Sequence, residues 1–204
     1  MFTGYKCLSG LENKKIILAS QSPRRKQLLE MAEINFEVEV TNTDETLPQG
    51  ILPENAPEYL ARKKAAAVAH LVKGETIIIA ADTIVLLDND VLGKPEDESH
   101  AIQILEKLSG RKHEVVTGVC ILDSNREYSF SVKTEVYFRQ LTNEQIKHYV
   151  SRYKPYDKAG AYAIQEWIGV TGIEKIVGDY YNVMGLPIGE VLLVLRKEFG
   201  VKPC

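Results

Sequence analysis

Two adjacent arginines, Arg24 and Arg25, stand in the first turn of a predicted helix. They belong to the segment 16–25, IILASQSPRR, in which an apolar run ends at small polar residues and Pro23 opens the helix. A helix N-terminus attracts anions through its free N–H groups and its dipole, so two cations there oppose the local electrostatics. A ligand with several negative charges, such as a polyphosphate, would explain both arginines. The alternative is that both are ordinary solvated surface residues.

Asp82 is the second candidate for chemistry. It comes directly after the apolar run 77–81, which predicts a buried strand with a polar break at Asp82 and Thr83. A carboxylate at the end of a buried strand costs free energy unless a cation, a metal or hydrogen bonds compensate. Strand ends in α/β sheets are also where ligands bind. This favours a functional site, and the alternative is an Asx turn or a structural hydrogen bond.

Four further residues carry weaker signals. Lys94 lies in a Gly-Lys-Pro turn that lacks the Walker pattern, although a lysine there could still contact phosphate as a point charge. Lys64 belongs to a basic run on an alanine-rich helix, where a solvated face is the default. Glu45 lies in a long polar loop, and would help to hold Mg²⁺ only if it met Asp82 in space. Gln165 offers a donor and an acceptor, which suits the edge of a base.

Composition limits the classes of protein that this chain can belong to. Its 204 residues are 45% apolar and 26% charged, which is enough for one core or two small lobes. A net charge of −3 argues against broad nucleic-acid binding. Three scattered cysteines and four histidines show no metal-ligand spacing. No apolar run has membrane-spanning length and the start has no secretory pattern, so we expect a cytoplasmic protein with no membrane partner.

The elements that must position these residues alternate between strand and helix. Segment 36–40 predicts a half-exposed strand, and the polar segments 42–57 and 154–165 predict loops. We expect residues 1–15 to be an N-terminal extension and residues 16–204 to be a single domain. The early alternation and a later hairpin together predict an α/β fold with a mixed sheet. The other predicted strands are 15–19, 76–80, 84–87, 114–122, 128–138 and 173–177. The predicted helices begin at residues 23, 57, 98, 143 and 187, with Ser22 as the N-cap of the first.

Taken together and in order, several segments resemble the Maf family of nucleoside triphosphate pyrophosphatases. The matching segments are LASQSPRR at 18–25, ADT at 81–83, GKP at 93–95, LSG at 108–110, DKAGAY at 157–162 with Gln165, and GLP at 185–187. Each match alone is weak, but the ordered set spans the chain from about Lys15 to the final helix.

The resemblance implies a fold, a reaction and a set of roles. The fold is of the inosine-triphosphatase-like type, with a mixed twisted central sheet in two lobes and a cleft between them. The reaction is cytoplasmic, metal-dependent hydrolysis between the α- and β-phosphates, which yields a nucleoside monophosphate and pyrophosphate. Asp82 is implied as the proton acceptor, and with Glu45 as a ligand of Mg²⁺ or Mn²⁺; whether Asp82 acts as a base or as a metal ligand stays open. The residues implied to contact the substrate phosphates are Ser20, Arg24, Arg25, Lys64 and Lys94.

Three positions distinguish branches of the family. Arg24, Thr83 and Gln165 resemble the branch that hydrolyses dTTP and UTP, with modified pyrimidine nucleotides as further candidate substrates. The branch that resembles 7-methyl-GTP pyrophosphatases carries other residues there, such as Trp, Gln and Glu. A different hypothesis is a non-catalytic nucleotide-binding regulator of cell division and septum formation. A homodimer is compatible with either function.

Overall fold

The computed structural model describes residues 8–9, 14–72 and 75–203 of the chain. The strands are β1 (Leu8–Ser9), β2 (Lys15–Leu18), β3 (Glu37–Val38), β4 (Thr76–Leu87), β5 (Asp90–Leu92), β6 (Lys112–Leu122), β7 (Glu127–Phe138), β8 (Ile173–Val177) and β9 (Lys202–Pro203). The helices are α1 (Pro23–Met31), α2 (Ala56–Ala69), α3 (Glu98–Leu108), α4 (Asn143–Tyr153), α5 (Trp167–Gly172), α6 (Tyr180–Met184) and α7 (Ile188–Phe199). Short 3₁₀ turns cover Pro53–Asn55 and Ala159–Ala161.

Seven of the strands form one mixed sheet. The order is β3-β2-β4-β6-β7-β8, with β5 added to β4. Strand β2 runs parallel to β3 and β4, whereas β4, β6, β7 and β8 pair in antiparallel fashion. The predicted α/β class with a mixed central sheet is therefore confirmed.

Strand β4 differs from its prediction in a way that matters for function. The expected break at Asp82 and Thr83 is wrong, because β4 continues through both residues to Leu87. Strand β6 pairs with β4 throughout this region and places Asp82 opposite Gly118. The other edge of β4 is interrupted: β2 covers residues 76–79 and β5 covers residues 85–87. Among the described residues no strand covers residues 80–84 on that edge, so Asp82 lies at a gap in the sheet rather than at a strand end.

Apolar side chains pack on both faces of the sheet. On one face, Ala61, Ala65 and Val68 of α2 pack against Ile78 and Ala80 of β4. On the other face, side chains from α1, α3, α4, α6 and α7 form the larger core. Successive side chains of a strand point to opposite faces, so the even-numbered positions of β4 face α2. Asp82 therefore points towards α2, and Thr83 points away from it.

The predicted helices are present, with small differences at their starts. Helix α1 begins at Pro23 with Ser22 at the N-cap position, as expected, although the Ser22 side chain makes no capping hydrogen bond. Its backbone N–H instead donates to Oγ of Ser20 at 3.2 Å. Helix α4 begins at Asn143 as predicted, with a capping box in which Thr142 and Gln145 exchange hydrogen bonds. In the described part of the chain, no helix is both long and apolar enough to cross a membrane.

Two predictions near the N-terminus need comment. The expected strand at 36–40 is reduced to β3, whose two residues pair with β2 at the sheet edge and are exposed. Of the predicted extension 1–15, residues 1–7 and 10–13 lie outside the described residues. Leu8 and Ser9 form β1, which pairs with β9 in a small antiparallel sheet that the sequence did not predict.

Candidate active site

A cleft of about 950 Å³ lies along the open edge of β4. Because it opens at an edge, it reaches side chains on both faces of that strand. All nine predicted site residues line it: Ser20, Arg24, Arg25, Glu45, Lys64, Asp82, Thr83, Lys94 and Gln165. Five basic side chains and three carboxylates contribute to the lining, so its fixed charge is positive. The basic ones are Arg24, Arg25, Lys64, Lys94 and Lys158, and the carboxylates are Glu45, Asp82 and Asp157.

Lys64 joins the two carboxylates on the α2 side of the cleft. Its Nζ lies 2.5 Å from Oδ1 of Asp82 and 2.8 Å from Oε1 of Glu45. The side chains of Lys64 and Asp82 are 18% and 17% exposed, whereas that of Glu45 is 61% exposed. The hydrogen bond from Lys64 is the main cause that lowers the pKa of Glu45, and the charges of Lys64, Lys94 and Arg25 add to it. Glu45 therefore stays ionised at neutral pH and converges with Asp82 on one cationic group.

Asp44, the neighbour of Glu45, does not join this cluster. Its carboxylate accepts hydrogen bonds from Thr46 and lies 3.3 Å from Nζ of Lys63. Across the described ranges of the chain, no three carboxylate, histidine or cysteine side chains come together as metal ligands do. Among the cleft carboxylates, Glu45 and Asp82 both contact Lys64, whereas Asp157 pairs with Arg24 and Lys158. Carboxylate oxygens are the donors that Mg²⁺ and Mn²⁺ prefer, and substrate phosphates commonly complete such a shell, so the pair fits a divalent cation.

Arg25 is an anchor on the other side of the cleft. Its Nε donates to the carbonyl of Gly185 at 2.8 Å, Nη1 to Oγ of Ser20 at 3.0 Å, and Nη2 to Oγ1 of Thr83 at 3.0 Å. The residue is only 9% exposed. Burial lowers its pKa from 12.5 to about 10, partly offset by the charge of Asp82. Three of its five N–H groups therefore tie α1 to Ser20 after β2, to Thr83 of β4 and to Gly185 after α6, which leaves two for a ligand.

Thr83 is held from several directions. Besides Arg25, its hydroxyl contacts Oγ1 of Thr117 at 3.0 Å on β6, and lies 3.4 Å from the carbonyl of Gly185. Gly185 has φ +116, a left-handed conformation that favours glycine at the end of α6. An added Cβ there would lie 3.6 Å from the Thr83 hydroxyl and 3.8 Å from Nε of Arg25. The position of Thr83 in the cleft is thus fixed by packing as well as by the strand.

Arg24 and Lys94 are the more available cations. Arg24 is paired with Asp157 at 3.0 Å, and its side chain is 21% exposed. Lys94 follows β5 and is exposed; in the part of the chain that the structure describes, it has neither an ion pair nor a hydrogen bond. Gln165 is exposed on a turn of the opposite wall, and its amide likewise has no partner among the described residues. Lys94 and Gln165 can therefore bind a ligand in the cleft without first breaking an existing contact.

Several residues of the site were not singled out from the sequence. Asp157 and Lys158 fall in the DKAGAY segment, but only the structure shows that they pair with each other at 2.6 Å and that Asp157 also pairs with Arg24. Tyr149 lies in the helix predicted from residue 143, to which the sequence assigned no role in the site. Its hydroxyl donates to Glu166, immediately after Gln165. No sequence spacing signals these contacts, because they join segments that meet only in the folded chain.

An α/β fold with a positively charged cleft at an interrupted sheet edge defines a class of proteins built to receive an anionic ligand. Within that class the chain belongs to the Maf family, since the family described as Maf-like protein matches residues 15–198.

Relatives cover almost the whole chain. A dTTP/UTP pyrophosphatase of Phocaeicola vulgatus is 49% identical over 191 residues, which is 93% of this chain and 99% of the relative. A dTTP/UTP pyrophosphatase of Porphyromonas gingivalis is 47% identical over 196 residues, or 95% of this chain and 98% of the relative. A crystal structure of a nucleoside-triphosphatase / dITP/XTP pyrophosphatase from Mycobacterium abscessus superposes with a TM-score of 0.41 and 17% identity, over 61% of this chain and 74% of that one.

Proposed function

We propose that this protein is a nucleoside triphosphate pyrophosphatase that hydrolyses dTTP and UTP to the monophosphate and pyrophosphate, in the cytoplasm. The names of relatives at 47–49% identity support this substrate class. The observation that carries the proposal is the shared location of two groups of residues. Asp82 with its partner Lys64 lies in the same cleft as Arg24, Thr83 and Gln165, the three positions that distinguish this branch of the family.

The chemical step is attack by water on the α-phosphorus. A new bond forms between the water oxygen and that phosphorus, and the bond from phosphorus to the oxygen that bridges the α- and β-phosphates breaks. The water gives up one proton to the base, and pyrophosphate leaves with the bridging oxygen and the electron pair of the broken bond. Positive groups around the phosphates stabilise the charge that develops, which is the main contribution expected of a protein in phosphoryl transfer. Arg24 and Lys94 are placed to do this, with Lys64 and the free N–H groups of Arg25.

Asp82 handles the proton of the attacking water, either directly or by orienting a water that is already acidic. Its limited exposure and its bond to Lys64 fix the direction of the carboxylate. Glu45 and Asp82 would together hold Mg²⁺ or Mn²⁺, which supplies neutralisation of phosphate oxygens and a more acidic water when bound. Lys64, which pairs with both carboxylates in this structure, would then be free to contact the phosphates.

Gln165 selects the base. Uracil and thymine present acceptor, donor and acceptor groups along their pairing edge, and a glutamine amide complements two adjacent ones. We take the amide to pair with O2 and N3–H, because in cytosine N3 is an acceptor and would leave the amide oxygen unpaired in either orientation of the amide. An amide group left without its partner by the wrong base lowers the rate for that nucleotide, because the hydration lost on binding is not repaid.

The test combines a nucleotide panel with an isotope. Wild-type protein and Asp82→Asn are given dTTP, UTP, CTP, dCTP, GTP and ATP with Mg²⁺, with Mn²⁺ or with a chelator, and products are separated by ion exchange. We expect pyrophosphate from dTTP and UTP with a divalent cation, and a rate loss of roughly 10²–10⁴ in Asp82→Asn. In H₂¹⁸O the label must enter the monophosphate, since attack on the α-phosphorus puts the new oxygen there.

Other results would contradict the proposal in identifiable ways. Label in pyrophosphate would place attack on the β-phosphorus. Near-normal turnover by Asp82→Asn would remove Asp82 from the proton transfer. Saturable nucleotide binding without any product would favour the non-catalytic regulator instead.

A further inference from the structure

A continuous line of polar contacts leads from Arg24 to the turn that carries Gln165. Nη1 of Arg24 lies 3.0 Å from Oδ2 of Asp157. The other oxygen of Asp157 accepts a hydrogen bond from Nζ of Lys158 at 2.6 Å. The same ammonium lies 3.6 Å from Oε1 of Glu166. Two of the positions that distinguish this branch of the family are thus linked through charged groups that the proposed reaction does not use.

The line ends on the backbone of the Gln165 turn. Oη of Tyr149 donates to Oε2 of Glu166 and accepts from the N–H of Ala163 at 3.1 Å. Tyr149 is fully buried and does not line the cleft. Its hydroxyl therefore holds Ala163 and Glu166 together, and these two residues enclose Gln165 within the turn.

Lys158 is the central residue of this line. It is only 8% exposed, so its ammonium has lost most of its water and depends on Asp157 and Glu166 for compensation. Lys158 joins two carboxylates from the two ends of the segment 157–166, Asp157 at 2.6 Å and Glu166 at 3.6 Å. That arrangement fixes the shape of the segment.

We propose that Lys158, Glu166 and Tyr149 are positioning residues for substrate selection, and that part of the influence of Arg24 on selectivity reaches the base through them. The inference rests on the proposed function of Gln165 as the residue that recognises the base. We call the five linked side chains the Lys158 relay. Its members are Arg24, Asp157, Lys158, Glu166 and Tyr149.

Tyr149→Phe tests the relay far from the substrate, because it removes one hydroxyl and keeps the buried ring. Tyr153→Phe is the matched control: Tyr153 lies on the same helix, its ring stacks on Tyr149 at 5.0 Å, and its hydroxyl has no hydrogen bond among the described residues. In Tyr149→Phe we expect the ratio of kcat/KM for dTTP over dCTP to fall about tenfold through a higher KM for dTTP, since a displaced contact group loses rate and discrimination. The control should keep the wild-type ratio. An unchanged ratio in Tyr149→Phe overturns the proposal.

Lys158→Met distinguishes the relay from a phosphate contact. If Lys158 acts through the relay, this variant loses the dTTP-over-dCTP preference by a similar factor. Combining it with Tyr149→Phe then adds little, because both changes break one unit. If Lys158 binds phosphate, kcat/KM falls equally for both nucleotides and the ratio stays, which overturns the proposal.

A second measurement does not depend on catalysis. The amide of Ala163 donates to Tyr149, so its hydrogen exchange, followed by NMR on the full-length protein, reports whether the turn is held. We expect faster exchange in Lys158→Met as well as in Tyr149→Phe, and no change in Tyr153→Phe. Unchanged exchange in Lys158→Met refutes the relay even if the wild-type protein hydrolyses nothing. A wild-type protein without pyrophosphatase activity would instead refute the proposed function alone.

Discussion

Replacing Arg25 by lysine keeps a positive charge in the cleft but removes the planar group that joins three parts of the fold. The guanidinium donates to Gly185, Ser20 and Thr83 at 2.8 to 3.0 Å. A lysine ammonium is a single point on a flexible stem and is not interchangeable with this fork. We expect the lysine ammonium to keep a hydrogen bond to one of the three acceptors and to lose the hydrogen bonds to the other two. Because Arg25 is only 9% exposed, the substitution keeps a positive charge in a buried place and loses most of the hydrogen bonds that compensate for it.

The size of the effect follows from the lost contacts. Hydrogen bonds to a charged group contribute about 1.5–3 kcal/mol each, so the loss of two costs at least about 3 kcal/mol. In a domain of this size, 1 kcal/mol lowers Tm by roughly 2–4 °C. The melting temperature of Arg25→Lys should therefore fall by roughly 6–12 °C.

Arg24→Lys is the matched control. Arg24 is the adjacent residue on the same helix, and makes one ion pair with an Asp157 side chain that is 54% exposed. Such pairs contribute about 0–1 kcal/mol, so its Tm should change by less than about 4 °C. Differential scanning calorimetry on both variants, without nucleotide, makes the comparison. If Arg25→Lys melts within the range of Arg24→Lys, Arg25 is not an anchor and its burial needs another explanation.

Three other changes test separate features. In Lys64→Met the pKa of Glu45, followed by NMR, should rise towards its ordinary value of 4.5, because the hydrogen bond from Lys64 is the main cause of its lowering. The stability that the Glu45–Lys64 pair adds is fully present above pH 4.5 and is lost as the pH falls through the lowered pKa. Acid should therefore reduce the stability of the variant less than that of the wild-type protein. Gly118→Ala places a Cβ 2.1 Å from the backbone of α2 and should destabilise the protein by about 3 kcal/mol or more in urea unfolding, whereas Gly189→Ala meets nothing within 4 Å and should be nearly neutral. Gln165→Glu should lower kcat/KM for dTTP and UTP at least about tenfold with little change in Tm, and unchanged selectivity would contradict its role in reading the base.

Much of the fold could be predicted because its strands are continuous apolar runs. The run 77–81 marks the buried part of β4, and the alternation of helices and strands predicts a mixed sheet. The break predicted at Asp82 was wrong because a polar residue in a strand is tolerated wherever one edge opens to a cleft. The gap becomes visible only from where β2 and β5 pair along β4, and a single sequence does not show that pairing.

The site could be predicted as a set of residues but not as a set of contacts. Arg24 and Arg25 are adjacent and chemically alike, yet one faces the cleft with a single partner while the other is buried among three. A turn of about 100° per residue along α1 separates these outcomes, and the sequence does not state which side faces the core. Lys158 was not predicted as a site residue for a related reason. Its partners Asp157 and Glu166 are nine residues apart in the sequence, and they meet at Lys158 only in the folded chain.

Asp82 stands in the middle of a twelve-residue strand, whereas Gln165 stands on an exposed turn held by side-chain contacts. Changes to the turn leave the hydrogen-bonded ladder of β4 and β6 intact. An engineer who wishes to retarget the cleft to another base can therefore vary Gln165 itself and keep the strand unaltered. The residues before it, Ala161 to Ile164, are buried and belong to the core, so they allow far less change. The architecture thus leaves one residue that contacts the base free to change without disturbing the strand that carries Asp82.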